Sequence, residues 1–219
     1  MSLPFICNAR VETVNKDILQ CLKEAGCVSL DYGVETGSEW LRKNILQRKQ
    51  SNEQIIEAFR LTRKIGIPSG SYNMIGLPFE TAAMARETFL FNKRLRPSFG
   101  KVFYFHPYPG TRLFNLCQNY GLLREDFDSV SGYLEKPSIK EVFMRHQSMR
   151  YYFELLQVYF HMRLIFKMMK LPDIFEKPLW AVTFIFYKSI IFITNPTLKN
   201  TRVKKLRQVL RRVLMRYAR

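Results

Sequence analysis

"YNMIGLPFET", residues Tyr72 to Thr81, decides how this chain is read. An apolar run closes on Gly-Leu-Pro, and an acidic and a hydroxyl residue follow. A buried strand stops abruptly there so that a helix can start. Glycine at the end of a strand leaves the backbone bare, so the chain can approach a flat ring or a phosphate closely. Taken alone, Gly-Leu-Pro is only a turn, and its meaning depends on what surrounds it.

Outward from this stretch, strand and helix signals alternate over the first 120 residues. "PFICNAR" is a short apolar run, followed by the helical "NKDILQCLKEAG" with Asn15 as N-cap and Gly26 as stop. "CVSLDYGVE" is a second run, then come the helical "SEWLRKNIL" and "SNEQIIEAFRLTRKIG". The latter carries Ser51 at the cap, Gln54 three residues on and Gly66 at the stop. "SYNMIGL" and "KVFYFHPYPGT" are the third and fourth strands, each leading into a helix. This alternation predicts an α/β fold with a parallel sheet and right-handed crossovers. Glu35 and Gly37, Gly76 and Glu80, and Pro107 to Thr111 all follow strands. In a parallel sheet these positions share one edge, where ligands bind.

The chain has 219 residues, 47% of them hydrophobic, which is enough for a real core in one or two domains. Its net charge of +17 is unevenly spread. Residues 1–139 hold 18 Lys/Arg against 14 Asp/Glu, whereas residues 140–219 hold 17 against 4. The C-terminal section is therefore the part suited to a polyanion, either membrane phosphate or nucleic acid. Cys7, Cys21, Cys27 and Cys117 show no disulfide-framework spacing, which makes a reducing cytoplasm the default. No C-x-x-C is present, so zinc and iron–sulfur templates are not met. "GVETGSE" lacks the Lys of a phosphate loop, and neither G-x-S-x-G nor H-E-x-x-H occurs. His106 is a candidate base or ligand and equally a loop histidine. Glu35 and Glu80 are a candidate carboxylate pair whose separation the sequence leaves open.

In order, "GVETGSE", "QRKQSNEQI", "MIGLPFET" and "PYPGT" resemble the radical S-adenosylmethionine (SAM) superfamily over about residues 5–125. "PYPGT" and the following Cys117-x-x-x-Gly121-Leu122-Leu123 look most like its cobalamin-binding branch. The resemblance implies a partial TIM-type barrel of six β/α units, of which these four strands match the third to sixth. It implies SAM and a [4Fe–4S] cluster as cofactors, with cobalamin in a full-length protein. It places Glu35 at the SAM ribose and Arg48 at the SAM carboxylate, where a guanidinium binds in bidentate fashion. Met74, Ile75 and Gly76 would form a shelf beside adenine, with Phe105 and His106 across from it. Read without the family, Glu35 is also a capping acid, Arg48 half of a surface ion pair and Met74 a core residue.

The superfamily's C-x-x-x-C-x-x-C cluster motif does not occur in this sequence. The expectation is thus the C-terminal portion of a radical SAM enzyme, performing methyl transfer or rearrangement on a lipid-like or other small molecule. Such a portion would be inactive by itself and would work with a missing N-terminal half or a companion chain. Its first strand is expected to leave an open sheet edge. The rival reading is a non-catalytic, membrane-associated remnant or scaffold, or an RNA-modifying relative.

Two domains are expected, a partial core over residues 1–125 and a helical basic extension over 126–219. "IKEVFMRHQSMRYYFELLQVYFHMRLIFKMMK" reads as one helix ending before Pro172. "LWAVTFIFYKSIIFI", residues 179–193, is apolar but shorter than the ~20 residues a bilayer span requires. From Lys199 onward there are nine Lys/Arg and no acid, with Val203, Leu206, Leu210, Val213, Leu214 and Tyr217 on one helical face. This pattern predicts an in-plane helix on the inner face of a membrane. Lys204, Lys205, Arg207, Arg211, Arg212 and Arg216 would contact anionic lipid. RNA is the rival polyanion, although the tail offers only Tyr217 for base stacking.

Overall fold

Each of the four apolar runs forms a strand. The structure is a computed structural model that describes residues 3–127 and 137–168. Strands β1 (Phe5–Ala9), β2 (Cys27–Glu35), β3 (Ser69–Ile75) and β4 (Phe99–Tyr104) pair in the order β1-β2-β3-β4, all parallel. Helices α1 (Lys16–Glu24), α2 (Asn52–Ile65) and α3 (Ala82–Leu95) provide the crossovers. In this sequential order they pack against one another as one layer on the sheet. This is the arrangement of successive units of a β/α barrel, and the fold class is α/β as expected.

Local chemistry sets the helix ends. Asn15 accepts a hydrogen bond from the Ile18 N–H, and Ser51 with Gln54 forms a reciprocal capping box. Gly66 ends α2 at φ 84°, a left-handed conformation that favours glycine. Thr81 caps α3 by accepting from the Met84 N–H, which confirms a strand–turn–helix reading of residues 72–95.

The sheet–helix interface contains an apolar cluster and a polar lock. Leu30, Tyr32 and Val34 of β2 pack with Leu19, Ile55, Phe59 and Leu95 from the helix layer. Beside them, the fully buried Ser71, Asn73 and Asn92 bind one another. The Asn92 Nδ2 donates to Asn73 Oδ1 at 2.8 Å, and the Ser71 hydroxyl donates to Asn92 Oδ1 at 2.7 Å. Buried polar groups left unpaired would cost on the order of 1–3 kcal/mol each, so this network fixes α3 against β3 in one register.

A further helix, α5 (His146–Met168), packs on β4 and α3, after the short α4 (Arg112–Asn119). The expected helix from residue 139 therefore starts late: Ile139 instead forms an antiparallel bridge with Leu123, and His146 opens the helix. Phe153 stacks on Tyr104 at 4.1 Å between ring centroids. Gly100 faces Phe160, whose ring occupies the space a side chain would need. These contacts belong to a compact unit extending to Met169. Residues 179–193 and the basic tail, including Lys204, Lys205, Arg207, Arg211, Arg212 and Arg216, lie outside the described residues.

Among the described residues, β1 pairs only with β2. Ile6 of that strand is 67% exposed.

Gly100→Ala would force a methyl group into the Phe160 ring. Overpacking of this kind costs about 1–3 kcal/mol. Urea unfolding of the variant should show that loss, carried by separation of α5 from β4.

Candidate functional site

The C-terminal ends of the strands carry the chemistry, and β2 is shaped for it. Gly33 pairs with Tyr72 and Glu35 with Asn73, so the register slips by one residue between them. Alternation buries Val34 in the helix layer and leaves Gly33 and Glu35 on the same, opposite face. Glu35 takes φ 66°, unusual for a residue with a Cβ. Its Oε1 forms an ion pair with Arg48 Nη2 at 2.9 Å. The Arg48 Nη1 donates to the Gly33 carbonyl at 3.4 Å. A Cβ at Gly33 would lie 2.6 Å from Glu35 Oε1, so glycine is what gives the carboxylate its place.

Arg48 reaches this position through a stapled loop. After the π-helical turn Leu41–Ile45, Gln47 turns at φ 53° and the Arg48 N–H bonds the Arg42 carbonyl at 2.8 Å. Arg42 itself is buried; its guanidinium binds the carbonyls of Thr36 and Gln50 and the side chain of Asn52. Gly37 lies against α3, where its N–H donates to Thr88 Oγ1 at 2.9 Å. "GVETGSE" is thus a packing loop that fixes the pair from behind.

Glu35 lines a pocket of about 320 Å³ with Gly33, Tyr72, Met74, Phe103, His106 and Tyr108. That volume is at the small end of ligand sites, and its walls are mainly aromatic and thioether. His106 is held on several sides: Nδ1 is 2.7 Å from the Ser138 hydroxyl, the ring stacks on Phe127, and Tyr108 meets it edge-on. Burial pushes the Glu35 carboxyl above its ordinary range, and the Arg48 guanidinium opposes that shift.

Of the residues singled out by sequence, Glu35, Arg48, Met74 and His106 come together here. Ile75, Gly76 and Phe105 share the edge but not the pocket. The side chain of Ile75 is fully buried, and Phe105 packs with Leu41, Ile45, Leu77 and Cys117. The bare side of Gly76, expected to face a flat ring, faces the helix layer: a Cβ there would be 3.1 Å from Met149 Sδ. The sequence offered no sign of this contact, because Met149 is 73 positions away on α5. Gly33, Tyr72, Phe103 and Ser138 were also missed; the Gly two residues before Glu35 was the available signal for the first.

The turn after β3 is organised by Glu80. Its Oε2 accepts from the N–H groups of Gly76 at 2.5 Å and Leu77 at 3.1 Å. The residue is 2% exposed, Oε1 has no partner among the described residues, and burial pushes the carboxyl up to about 8. Glu35 and Glu80 therefore have separate partners and separate tasks.

No group of three or more His, Cys, Asp or Glu suited to a metal ion occurs among the described residues. Cys7 lies on β1 and Cys21 on α1, while Cys27 and Cys117 are buried in different apolar clusters. Burial raises the Cys117 thiol to about 11, away from the thiolate that a cluster needs. A [4Fe–4S] cluster does not fit these residues. For SAM the test is the donor set at the pocket. A guanidinium paired at one carboxylate oxygen, a second carboxylate oxygen, a thioether and several rings suit a ligand with an anionic end and a flat base.

The sequence profile of the Radical SAM superfamily matches residues 3–91. An uncharacterized methyltransferase of Pyrococcus horikoshii is 30% identical over 127 residues, covering 56% of this chain and 27% of that protein. The radical SAM enzyme coproporphyrinogen III oxidase (HemN) of Escherichia coli superposes with a TM-score of 0.44 at 20% identity, over 54% of this chain and 31% of that one. The radical SAM methyltransferase TsrM of Kitasatospora setae, solved with cobalamin and a [4Fe–4S] cluster, gives a TM-score of 0.49 at 18% identity, over 56% and 24%. The chain thus spans about a quarter to a third of the length of these proteins.

Two outcomes follow from the site's construction. Gly33→Ala should displace the Glu35 carboxylate and separate it from Arg48, visible as a changed side-chain Arg48 Nε resonance while the fold persists. For Glu80, the folded state holds the proton more tightly than the ordinary value of 4.5. Its contribution is present below pH 4.5 and is lost as pH rises through about 8. Unfolding free energy should therefore decline across that window, and Glu80→Gln should flatten the decline.

Proposed function

We propose, for a chain whose residues 3–91 match the radical SAM superfamily profile, that the pocket at the strand ends binds SAM. The chain would then serve as the SAM-holding portion of a methyl-transferring radical SAM enzyme. The observation that carries this reading is the Glu35–Arg48 pair set over Gly33, with Met74 and His106 in the opposing wall. Arg48 would hold the ligand's carboxylate, Glu35 would accept from ribose hydroxyls, and Met74 and His106 would flank the base. Ile75, Gly76 and Phe105 support that wall from behind through their packing. When bound, SAM supplies the methyl group. Methyl transfer is favoured over rearrangement because the curated relative is described as a methyltransferase.

The cluster ligands would come from a companion chain or another segment, since this sequence has no C-x-x-x-C-x-x-C and its cysteines are dispersed. On this reading the chain is catalytically silent by itself. Cobalamin use by the assembled enzyme rests on the likeness of residues 107–123 to the cobalamin-binding branch. The same dispersal of thiols favours a second reading, a cofactor-binding scaffold without chemistry. Anaerobic iron analysis of the chain with candidate companions separates the two, because only the first requires iron in the complex.

The basic C-terminal section would rest on an anionic membrane surface through Lys204, Lys205, Arg207, Arg211, Arg212 and Arg216. Among the described residues no helix is long and apolar enough to cross a membrane. Flotation with anionic and neutral vesicles should recover the chain only with the former. Recovery with RNA alone would transfer the tail to the RNA reading.

Calorimetric titration of SAM into the purified chain should show binding. Arg48→Met should weaken it at least tenfold, equivalent to about 1.4 kcal/mol, and Arg48→Lys less. Absence of binding to the unmodified chain, or equal binding by the Met variant, would reject the assignment.

A further inference from the structure

Below the strand ends, the pocket face of the sheet carries a second constellation. Asp31 lies on β2, Tyr72 on β3 and Lys101 on β4, at neighbouring register positions. The Tyr72 hydroxyl donates to Asp31 Oδ2 at 2.6 Å, and the Ser29 hydroxyl donates to Asp31 Oδ1 at 3.1 Å. Asp31 is only 4% exposed although it lies on that face. Gly70 makes this possible, since a Cβ there would lie 2.7 Å from Asp31 Oδ1 and 2.6 Å from the Phe99 ring. Gly70, the Ser29 hydroxyl and the Asp31 carboxylate thus fix the direction of one phenol.

The Tyr72 ring is held as firmly as its hydroxyl. Phe103 meets it edge-on at 6.5 Å, and both rings line the pocket. The Lys101 ammonium lies over the Tyr72 ring, 5.5 Å from its centroid. Lysine on an edge strand often serves only to block pairing with other chains. Lys101 differs in being folded back over an aromatic wall of the pocket. It is exposed, and no carboxylate reaches it among the described residues. The acids nearest in the sheet are already engaged: Asp31 by two hydroxyls and Glu35 by Arg48. Among the described residues the Lys101 ammonium therefore has no ion-pair partner, and it lies over the Tyr72 ring beside Phe103.

We infer that Lys101, Tyr72 and Phe103 form a binding subsite for a small planar molecule carrying a carboxylate, with Asp31 as the positioning residue for Tyr72. The ring of the ligand lies against Tyr72 and Phe103, and its carboxylate meets the Lys101 ammonium. Such an aromatic acid is the substrate class this face fits, in contrast to a lipid chain, which would bury no polar group here. The subsite does not depend on SAM occupying the strand ends.

The test uses the full chain with benzoate and benzamide as probes, titrated by NMR on the amides of residues 99–104. Benzoate should bind about fivefold more tightly than benzamide, the scale of one partly exposed ion pair. Lys101→Met should reduce that ratio to about one, and Lys101→Arg should restore it. Asp31→Asn should weaken both probes by a similar factor and keep the ratio, as a positioning role requires. Failure of benzoate to bind the unmodified chain, or a ratio unchanged in Lys101→Met, would overturn the inference. Because neither probe engages Arg48, such a failure leaves SAM binding to be judged separately.

Discussion

The Glu35–Arg48 ion pair is the constraint around which the candidate site is built. A carboxylate this enclosed loses much of its hydration, and one guanidinium returns only part of that loss. Pairs of this kind contribute little net stability, and apolar replacements often do as well. Several other features nevertheless exist to maintain it. Gly33 clears the space, and a fully buried Arg42 anchors the loop that delivers Arg48. Local strain and an unfavourable charge burial concentrated at one place are what a binding site requires and a core does not.

The remaining structure keeps the strand ends aligned. The Ser71–Asn73–Asn92 network fixes α3 on β3, and Glu80 ties the turn that follows. Met149, Phe153 and Phe160 of α5 grip the outer side of the sheet at Gly76, Tyr104 and Gly100. Helices thus cover one face, while the other presents the pocket and the Asp31–Tyr72–Lys101 set. A parallel sheet is ordinarily covered on both faces, and among the described residues no helix covers this one, so it is the side from which ligands, or further protein, would approach.

Much of this order is legible in the sequence because it is local. Strand–helix alternation, the Asn15, Ser51 and Thr81 caps and the Gly66 stop each depend on residues a few positions apart. The edge shared by Glu35, Gly76 and His106 follows from parallel topology alone. What could not be read is what depends on distant partners. Gly76 was expected to leave room for a nucleoside, and its space belongs to Met149; Phe105 was expected at the pocket and turns into the apolar cluster with Cys117. Phe103 and Phe105 are two apart and would share a face if β4 ran on, but the strand ends at Tyr104, so Phe105 leaves the alternation that keeps Phe103 at the pocket. Likewise, nothing near residue 139 announces that Ile139 pairs with Leu123 instead of starting the long helix.

The central claim is that the strand ends form one nucleoside-binding rim, and hydrogen exchange with and without SAM tests it most directly. Added SAM should slow exchange at residues 33–36, 48, 72–76 and 103–108 together. Slowing confined to the outer helices, or no slowing at any of these four stretches, would contradict it.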